Sequence, residues 1–156
     1  MEQYTMEMDV QQQFNAAKAD IAWLGGFWDA DGSVLLTKRQ TYLVPVASCV
    51  NTNKKLIDNV TRILDSAGLV YRVDYQDRGD RINAAPAWIV RMEGRSRVYP
   101  FLQMIRDSLV GKQEQADLVL KWCRLPKSNG PKPPPEGYWE TKEKLSVLNA
   151  RGRVRD

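Results

Sequence analysis

Apolar residues repeat with helical spacing near the start of the chain. Within residues 16–31 they recur at intervals of three and four, at Ile21, Leu24, Gly25 and Trp28. Because this spacing places them on one face, it predicts a helix that ends at Gly32. Two β-rich segments follow, Ser33–Gln40 and Tyr42–Val50, and the short turn between them indicates a hairpin. Pro45 in the second segment favours an edge strand or a bulge, since proline cannot donate a ladder hydrogen bond.

The same order of elements recurs farther along the chain. Asn51–Asn53 are capping-type residues before an apolar pattern in residues 54–66, and Gly68 follows it, which predicts a second helix. The remaining predicted elements are a second hairpin at Leu69–Gln76 and Ala87–Met92, and helices at Arg95–Ser108 and Lys112–Leu125. We therefore expect an α+β fold of order αββαββα, in which an antiparallel sheet has its helices on one face.

The predicted domain occupies residues 16–149 of the 156-residue chain. A polar lead-in of residues 1–15 precedes it, and a basic tail of residues 150–156 follows it. Residues 126–137 are rich in proline, so we expect an extended connector there rather than a helix. A last short helix is predicted at residues 138–149.

The composition excludes several kinds of chemistry. The chain contains no histidine, which rules out Ser–His–Asp triads and most zinc sites, so catalysis would rely on Asp, Glu, Lys, Arg or a hard metal ion. Cys49 and Cys123 lie in apolar segments without CxxC spacing and are predicted to be reduced core residues. A net charge of +4 favours a polyanionic partner. Without a membrane-spanning or signal-peptide pattern, we expect a soluble, intracellular protein of unknown compartment.

The predicted strands alternate between polar and apolar side chains. Arg72, Asp74, Gln76 and Arg78 share one phase, and Val73 and Tyr75 the other. In the first strand Thr37 and Arg39 likewise share a phase. Such a face offers the donors and acceptors that read base edges in a major groove. An ordinary solvated face is the alternative, and from the alternation alone it is favoured, because antiparallel sheets commonly have one side in water.

Asp29 and Asp31 follow the apolar run of the first helix directly. A calcium loop of the EF-hand type would need glycine and glutamate where Val34 and Gln40 stand, so it is excluded. Phosphotransferases of the haloacid-dehalogenase type also contain D-x-D-G-S/T, but there the first aspartate ends a buried parallel strand. Two solvated aspartates at a helix end are the remaining alternative. Carboxylates are disfavoured at that end of the helix dipole, so a cation is expected beside them.

The segment "LGGFWDADG", Leu24–Gly32, resembles the LAGLIDADG motif of homing endonucleases. Two further segments are similar to that family: "DRG" at residues 77–79 and "GKQEQADLVLKWCRLP" at residues 111–126. The resemblance covers about residues 16–149 and implies a saddle-shaped antiparallel sheet. Because the chain has one motif, the resemblance also implies a symmetric homodimer. Gly25 and Gly26 would then form the dimer interface, where two helices pack closely.

The resemblance implies a Mg²⁺ site at Asp31 and Ala30, shared between two copies. Mn²⁺ is expected to substitute, and Ca²⁺ to support binding without cleavage. Lys112, Asn51 and Lys55 are implied as further catalytic residues, although Asn51 is equally well suited to capping the following helix. Asp29 is expected to cap or orient rather than bind metal.

The implied function is site-specific cleavage of both strands of a long, roughly palindromic DNA duplex, as in an intron-borne homing endonuclease. A non-cleaving nucleic-acid binder on the same fold, such as an intron splicing cofactor or a regulator, is the alternative. Neither a membrane nor a small-molecule substrate is expected. The candidates for DNA contact are Thr37, Arg39, Ser48, Arg72, Gln76, Arg78 and Arg91.

Overall fold

The computed structural model describes residues 18–77, 85–127 and 133–151. Its elements are α1 (Lys18–Asp31), β1 (Gly32–Arg39), β2 (Tyr42–Asn51), α2 (Lys54–Ser66), β3 (Arg72–Gln76), β4 (Ala87–Glu93), α3 (Arg95–Ile105), a 3₁₀ turn (Arg106–Ser108), α4 (Gln113–Cys123) and α5 (Tyr138–Arg151). The predicted helix–strand–strand order, present twice, is confirmed. The predicted helix at residues 95–108 ends in the 3₁₀ turn, and residues 69–71 lie outside β3.

The four strands form one antiparallel sheet in the order β1-β2-β4-β3. β2 is therefore an inner strand, and it pairs with β1 residue by residue through Pro45, so the expectation of an edge strand or a bulge at Pro45 was wrong. The ladder between β2 and β4 begins only at Val46, and the carbonyl of Pro45 accepts a 3.0 Å hydrogen bond from the N–H of Gly94, where β4 has ended. The missing N–H of Pro45 thus falls beyond the ladder, which is why an inner strand tolerates it.

One face of the sheet lies under the helices and the other is open. Directly paired residues of an antiparallel sheet share a face, so the register assigns each side chain. The covered face carries buried side chains of three strands: Val34, Leu36, Leu43, Ala47, Cys49, Val90 and Met92. The opposite face is called the open face below. The predicted arrangement of helices on one side of the sheet is confirmed.

Aromatic side chains fill much of the space between the sheet and the helices. Trp28 of α1 and Phe101 of α3 are fully buried and meet edge to face at 4.7 Å between ring centroids. Trp122 of α4 is also buried, and its indole N–H donates to the carbonyl of Tyr138. Trp28 and Trp122 thus serve packing in the core.

The last helix is attached to the domain through Tyr138. The phenol oxygen of Tyr138 is buried and accepts a 2.8 Å hydrogen bond from the backbone N–H of Leu43 in β2. Leu145, about two turns farther along α5, is buried as well. Among the described helices none is long and apolar enough to cross a membrane.

Several sequence predictions fall outside the described residues. These are the lead-in at residues 1–15, the turn that contains Arg78, residues 128–132 of the proline-rich connector and residues 152–156 of the basic tail. They stay predictions.

We expect Tyr138→Phe to lower the free energy of unfolding by about 1–3 kcal/mol, because it leaves the buried N–H of Leu43 without an acceptor. Tyr42→Phe is the matched control, since Tyr42 is 47% exposed. Urea unfolding of both variants measures the difference. An equal loss in the two variants would show that the Tyr138 hydrogen bond does not hold α5.

Candidate active site

The end of α1 is joined to the start of α4 by the carboxylate of Asp29. Its Oδ2 accepts a 2.7 Å hydrogen bond from the N–H of Val110, and its Oδ1 accepts a 2.9 Å hydrogen bond from the N–H of Lys112. Both donors belong to the loop between the 3₁₀ turn and α4. Asp29 therefore has both oxygens engaged with backbone, which is the geometry of an orienting residue rather than of a free ligand.

The side chain of Lys112 makes a second contact between the same two segments. Its ammonium donates a 2.5 Å hydrogen bond to the backbone carbonyl of Asp29. That carbonyl lies in the last turn of α1, where carbonyls lack helical partners and the dipole is negative. The lysine thus supplies part of the positive charge that the sequence led us to expect beside the two aspartates.

Asp31 is oriented differently from Asp29. It is exposed, and its Oδ2 accepts a 2.9 Å hydrogen bond from the Nδ2 of Asn51 at the end of β2. The Oδ1 of Asn51 in turn accepts from the N–H of Asn53, which directs the amide nitrogen towards Asp31. The structure therefore brings together Asp31 and Asn51, two residues that lie twenty positions apart.

The N-cap of α2 is Asn53, not Asn51. The side-chain oxygen of Asn53 accepts from the N–H of Lys55. The capping alternative for Asn51 was therefore wrong, because its side chain points back to Asp31. Lys55 lies in the exposed first turn of α2, and its ammonium has no hydrogen bond or ion pair within the part of the chain that the structure describes.

The oxygen atoms near Asp31 suit a hard divalent cation, but one copy supplies only part of a site. Mg²⁺ prefers oxygen ligands, such as the Asp31 carboxylate and the Ala30 carbonyl in the last turn of α1. Over residues 18–77, 85–127 and 133–151, no group of three or more Asp, Glu, Cys or His side chains could hold a metal ion. Among the described residues, the Asp31 carboxylate and the Ala30 carbonyl therefore fit as part of the oxygen ligand set of Mg²⁺, which would need further oxygens to be complete.

Cys49 lies beneath this end of the sheet, opposite Gly32 in the ladder. Burial raises the pKa of the Cys49 thiol to about 12, and the negative charge of Asp31 contributes to the shift. A thiol with this pKa stays protonated near neutral pH, so it is a core residue and not a nucleophile. Both cysteines are free, as predicted, but Cys49 is a core residue whereas Cys123 is only partly buried against the core.

Gly25 and Gly26 have different surroundings. A Cβ on Gly25 would lie 2.4 Å from the Cβ of Ser108, so Gly25 is small because the 3₁₀ turn crosses it within the same chain. Within the described structure and outside its own helix, no atom lies within 4 Å of a Cβ on Gly26, which is exposed. Gly25 is therefore required by a contact inside the chain and not by a partner helix as predicted, whereas the backbone at Gly26 is uncovered.

The described candidates for DNA contact share the open face. The register aligns Ser33, Ser48, Arg91 and Arg72 in one row across all four strands. The same face carries Thr37, Arg39 and Gln76, whereas Arg78 lies outside the described residues. The alternation in the sequence therefore grouped these side chains on one surface.

Glu93 is a residue of this face that the sequence analysis did not identify. One of its carboxylate oxygens accepts a 2.8 Å hydrogen bond from Arg39, and the other lies 3.6 Å from Arg72 and 3.7 Å from Arg91. The sequence could have placed Glu93 on this face, because Glu93 lies two residues after Arg91 in the same strand. It could not have shown that Arg39 and Arg72 approach Glu93, because that depends on the order of the strands in the sheet.

A family model described as a LAGLIDADG-like domain matches residues 18–106, more than half of the chain. The chain belongs to the LAGLIDADG-like family. The matched region contains α1, α2, α3 and the four strands, so it includes Asp29, Asp31 and the open face.

Two solved structures of the homing endonuclease I-CvuI are similar to this LAGLIDADG-like chain. I-CvuI bound to its target in the presence of calcium is 21% identical, with a TM-score of 0.64 over 85% of this chain and 83% of that one. I-CvuI bound to an I-CreI target in the presence of magnesium, with its DNA not cleaved, is 18% identical, with a TM-score of 0.55 over 84% and 97%. At these identities the likeness shows the fold, and it confirms the predicted one.

One curated relative also matches part of the sequence. An uncharacterized protein of Methanocaldococcus jannaschii is 39% identical over 67 residues. The match covers 43% of this chain and spans only 25% of that relative.

The contrast between the two aspartates generates a stability prediction. Asp29→Asn should lower the free energy of unfolding by about 1–3 kcal/mol. The two oxygens of Asp29 each accept one backbone hydrogen bond, whereas the asparagine side chain has only one oxygen that can accept. Asp31→Asn should change it by less than about 0.5 kcal/mol, since Asp31 is exposed. Urea unfolding measures both values, and hydrogen exchange at Val110 and Lys112 locates the change. Faster exchange in Asp31→Asn than in Asp29→Asn would reverse our assignment of the two residues.

Proposed function

We propose that this LAGLIDADG-like protein is a site-specific endonuclease that makes a metal-dependent double-strand break in a long, pseudo-palindromic DNA duplex. The observation that carries the proposal is the difference between Asp29 and Asp31. Both carboxylate oxygens of Asp29 accept backbone hydrogen bonds, whereas the carboxylate of Asp31 is exposed and is oriented by a hydrogen bond from Asn51. A carboxylate held in place but left open to solvent suits metal binding better than it suits packing.

The proposal requires two copies of the chain. One copy supplies a single exposed carboxylate at the end of α1, and Mg²⁺ demands about six oxygen ligands. A second copy packed along the bare backbone at Gly26 would bring a second Asp31 to the same place. Two adjacent carboxylates repel each other unless a cation lies between them, so such a dimer favours metal binding.

Each residue near Asp31 has a proposed role in strand cleavage. When bound, Mg²⁺ would supply Lewis-acid activation of water and stabilise the leaving oxygen, and Mn²⁺ would substitute for it. Lys112 holds a positive charge at the end of α1, where it would stabilise charge that develops on the scissile phosphate. Asn51 orients Asp31, and Lys55 adds a cation at the start of α2 that pairs with no described residue. Asp29 fixes the loop from which Lys112 extends.

The open face would bind the duplex on either side of this centre. Its arginines, threonine, serine and glutamine provide donors for base edges and phosphates. The structures of I-CvuI similar to this chain contain target DNA, which supports a duplex as the partner. Ca²⁺ is expected to support binding without cleavage.

Asp31→Asn tests the proposal directly. It keeps the size of the side chain and removes the charge that would hold metal, so cleavage in Mg²⁺ should fall by at least about a hundredfold. DNA binding in Ca²⁺ should survive. The substrate is a site selected by the wild-type protein from a library of duplexes, and single-turnover cleavage is measured beside a binding titration.

Asp58→Asn is the matched control for charge. Asp58 is an exposed residue of α2 whose ion pair with Lys54 lies at the surface, so its loss should leave cleavage unchanged. Full cleavage by Asp31→Asn would overturn the proposed mechanism. A wild-type protein that binds a selected site but never cleaves it would favour the non-cleaving alternative.

A further inference from the structure

The carboxylate of Glu93 lies at the centre of the arginine-rich open face. Glu93 of β4 contacts Arg39, Arg72 and Arg91, at distances of 2.8, 3.6 and 3.7 Å. Arg39 ends β1 and Arg72 begins β3, so the two outermost strands of the sheet direct a guanidinium towards the same residue. Arg72 also pairs with Asp74 of its own strand at 3.0 Å, whereas Glu93 is the carboxylate that all three arginines have in common.

Glu93 is much less accessible than most of its partners. Its side chain is 19% exposed, against 46% for Arg39 and 54% for Arg72. The Oε1 of Glu93 and the Nε of Arg91 are covered from solvent and have no hydrogen-bond partner in the described structure. A base edge could not reach the covered Oε1, so Glu93 would act on DNA through the arginines around it.

The physical effect of such a carboxylate is to restrain flexible cations. A free arginine binds phosphate at any position along DNA, and that attraction is independent of sequence. An arginine already held in one orientation loses less conformational freedom when it binds a base edge. The negative charge also lowers the attraction of the whole face for phosphate. Both effects increase the difference between a correct site and other DNA.

We propose that Glu93 is a specificity-determining residue, which positions Arg39, Arg72 and Arg91 for base recognition and weakens sequence-independent binding. This inference rests on the proposed function, because it requires that the open face bind duplex DNA. The effect is on discrimination between sites and not on the cleavage chemistry at Asp31.

The test compares Glu93→Gln with wild type on a selected site and on an unrelated duplex of equal length. Glu93→Gln should bind the unrelated duplex about fivefold more tightly at low salt, the factor that corresponds to ~1 kcal/mol for one charge at contact distance in water. Its slope of log affinity against log salt should steepen by about one unit, as expected for one further phosphate contact. The ratio of selected-site to unrelated-duplex affinity should fall by about the same fivefold factor.

Two further variants separate position from net charge. Glu140→Gln changes the net charge equally, but Glu140 is an exposed residue of α5 and does not lie on the sheet. It should bind both duplexes as wild type does. Glu93→Asp keeps the charge and should recover most of the wild-type ratio of selected-site to unrelated-duplex affinity. If Glu93 had a purely structural role, neither this ratio nor the salt slope would change in any of the variants.

The outcomes distinguish this inference from the proposed function. Equal behaviour of Glu93→Gln and Glu140→Gln, with a wild type that selects a site, would overturn the role of Glu93 alone. Loss of preference at a single base-pair position, without tighter binding to the unrelated duplex, would also overturn it, because that pattern belongs to a residue that reads a base directly. A wild-type protein that binds no duplex, or selects no site, would overturn both.

Discussion

The two hydrogen bonds from the loop before α4 to the carboxylate of Asp29 hold the site together. They join residues more than eighty positions apart in the chain, and the return contact from Lys112 closes the junction. Because the acceptor is charged, each bond is stronger than an ordinary backbone hydrogen bond. The end of α1 is therefore fixed relative to α4, and the neighbouring Asp31 remains open.

The sheet also fixes the position of the site. Asp31 precedes β1 directly, and Asn51 ends β2, so the β1–β2 pairing brings the amide to the carboxylate. The row of polar side chains across the open face begins at Ser33, two residues after Asp31. The proposed catalytic centre and the proposed DNA-binding surface are thus set by the same ladder of strand hydrogen bonds, which makes their spacing rigid.

The sequence predicted most of the elements because their signals are local. Helical periodicity, capping asparagines and strand alternation depend on residues a few positions apart, and they located α1, α2 and both hairpins. Residues whose meaning depends on distant contacts were interpreted less well. Pro45 was assigned to an edge strand or a bulge because the strand order was unknown. The small size of Gly25 was attributed to a partner because its contact with Ser108 was unknown. Glu93 was missed for the same reason, since its arginines come from three strands.

The central claim is that one chain contains half of a site, completed by a second copy along α1. Sedimentation equilibrium without DNA, at micromolar concentrations, tests it most directly. The account predicts a mass twice the 17.8 kDa of the chain for the wild-type protein. It predicts the single-chain mass for Gly26→Leu, whose folded core should be unchanged because, among the described residues outside its own helix, no atom lies within 4 Å of a Cβ at that position. A wild-type protein that sediments at the mass of one chain, or a Gly26→Leu variant that stays dimeric, would contradict the account.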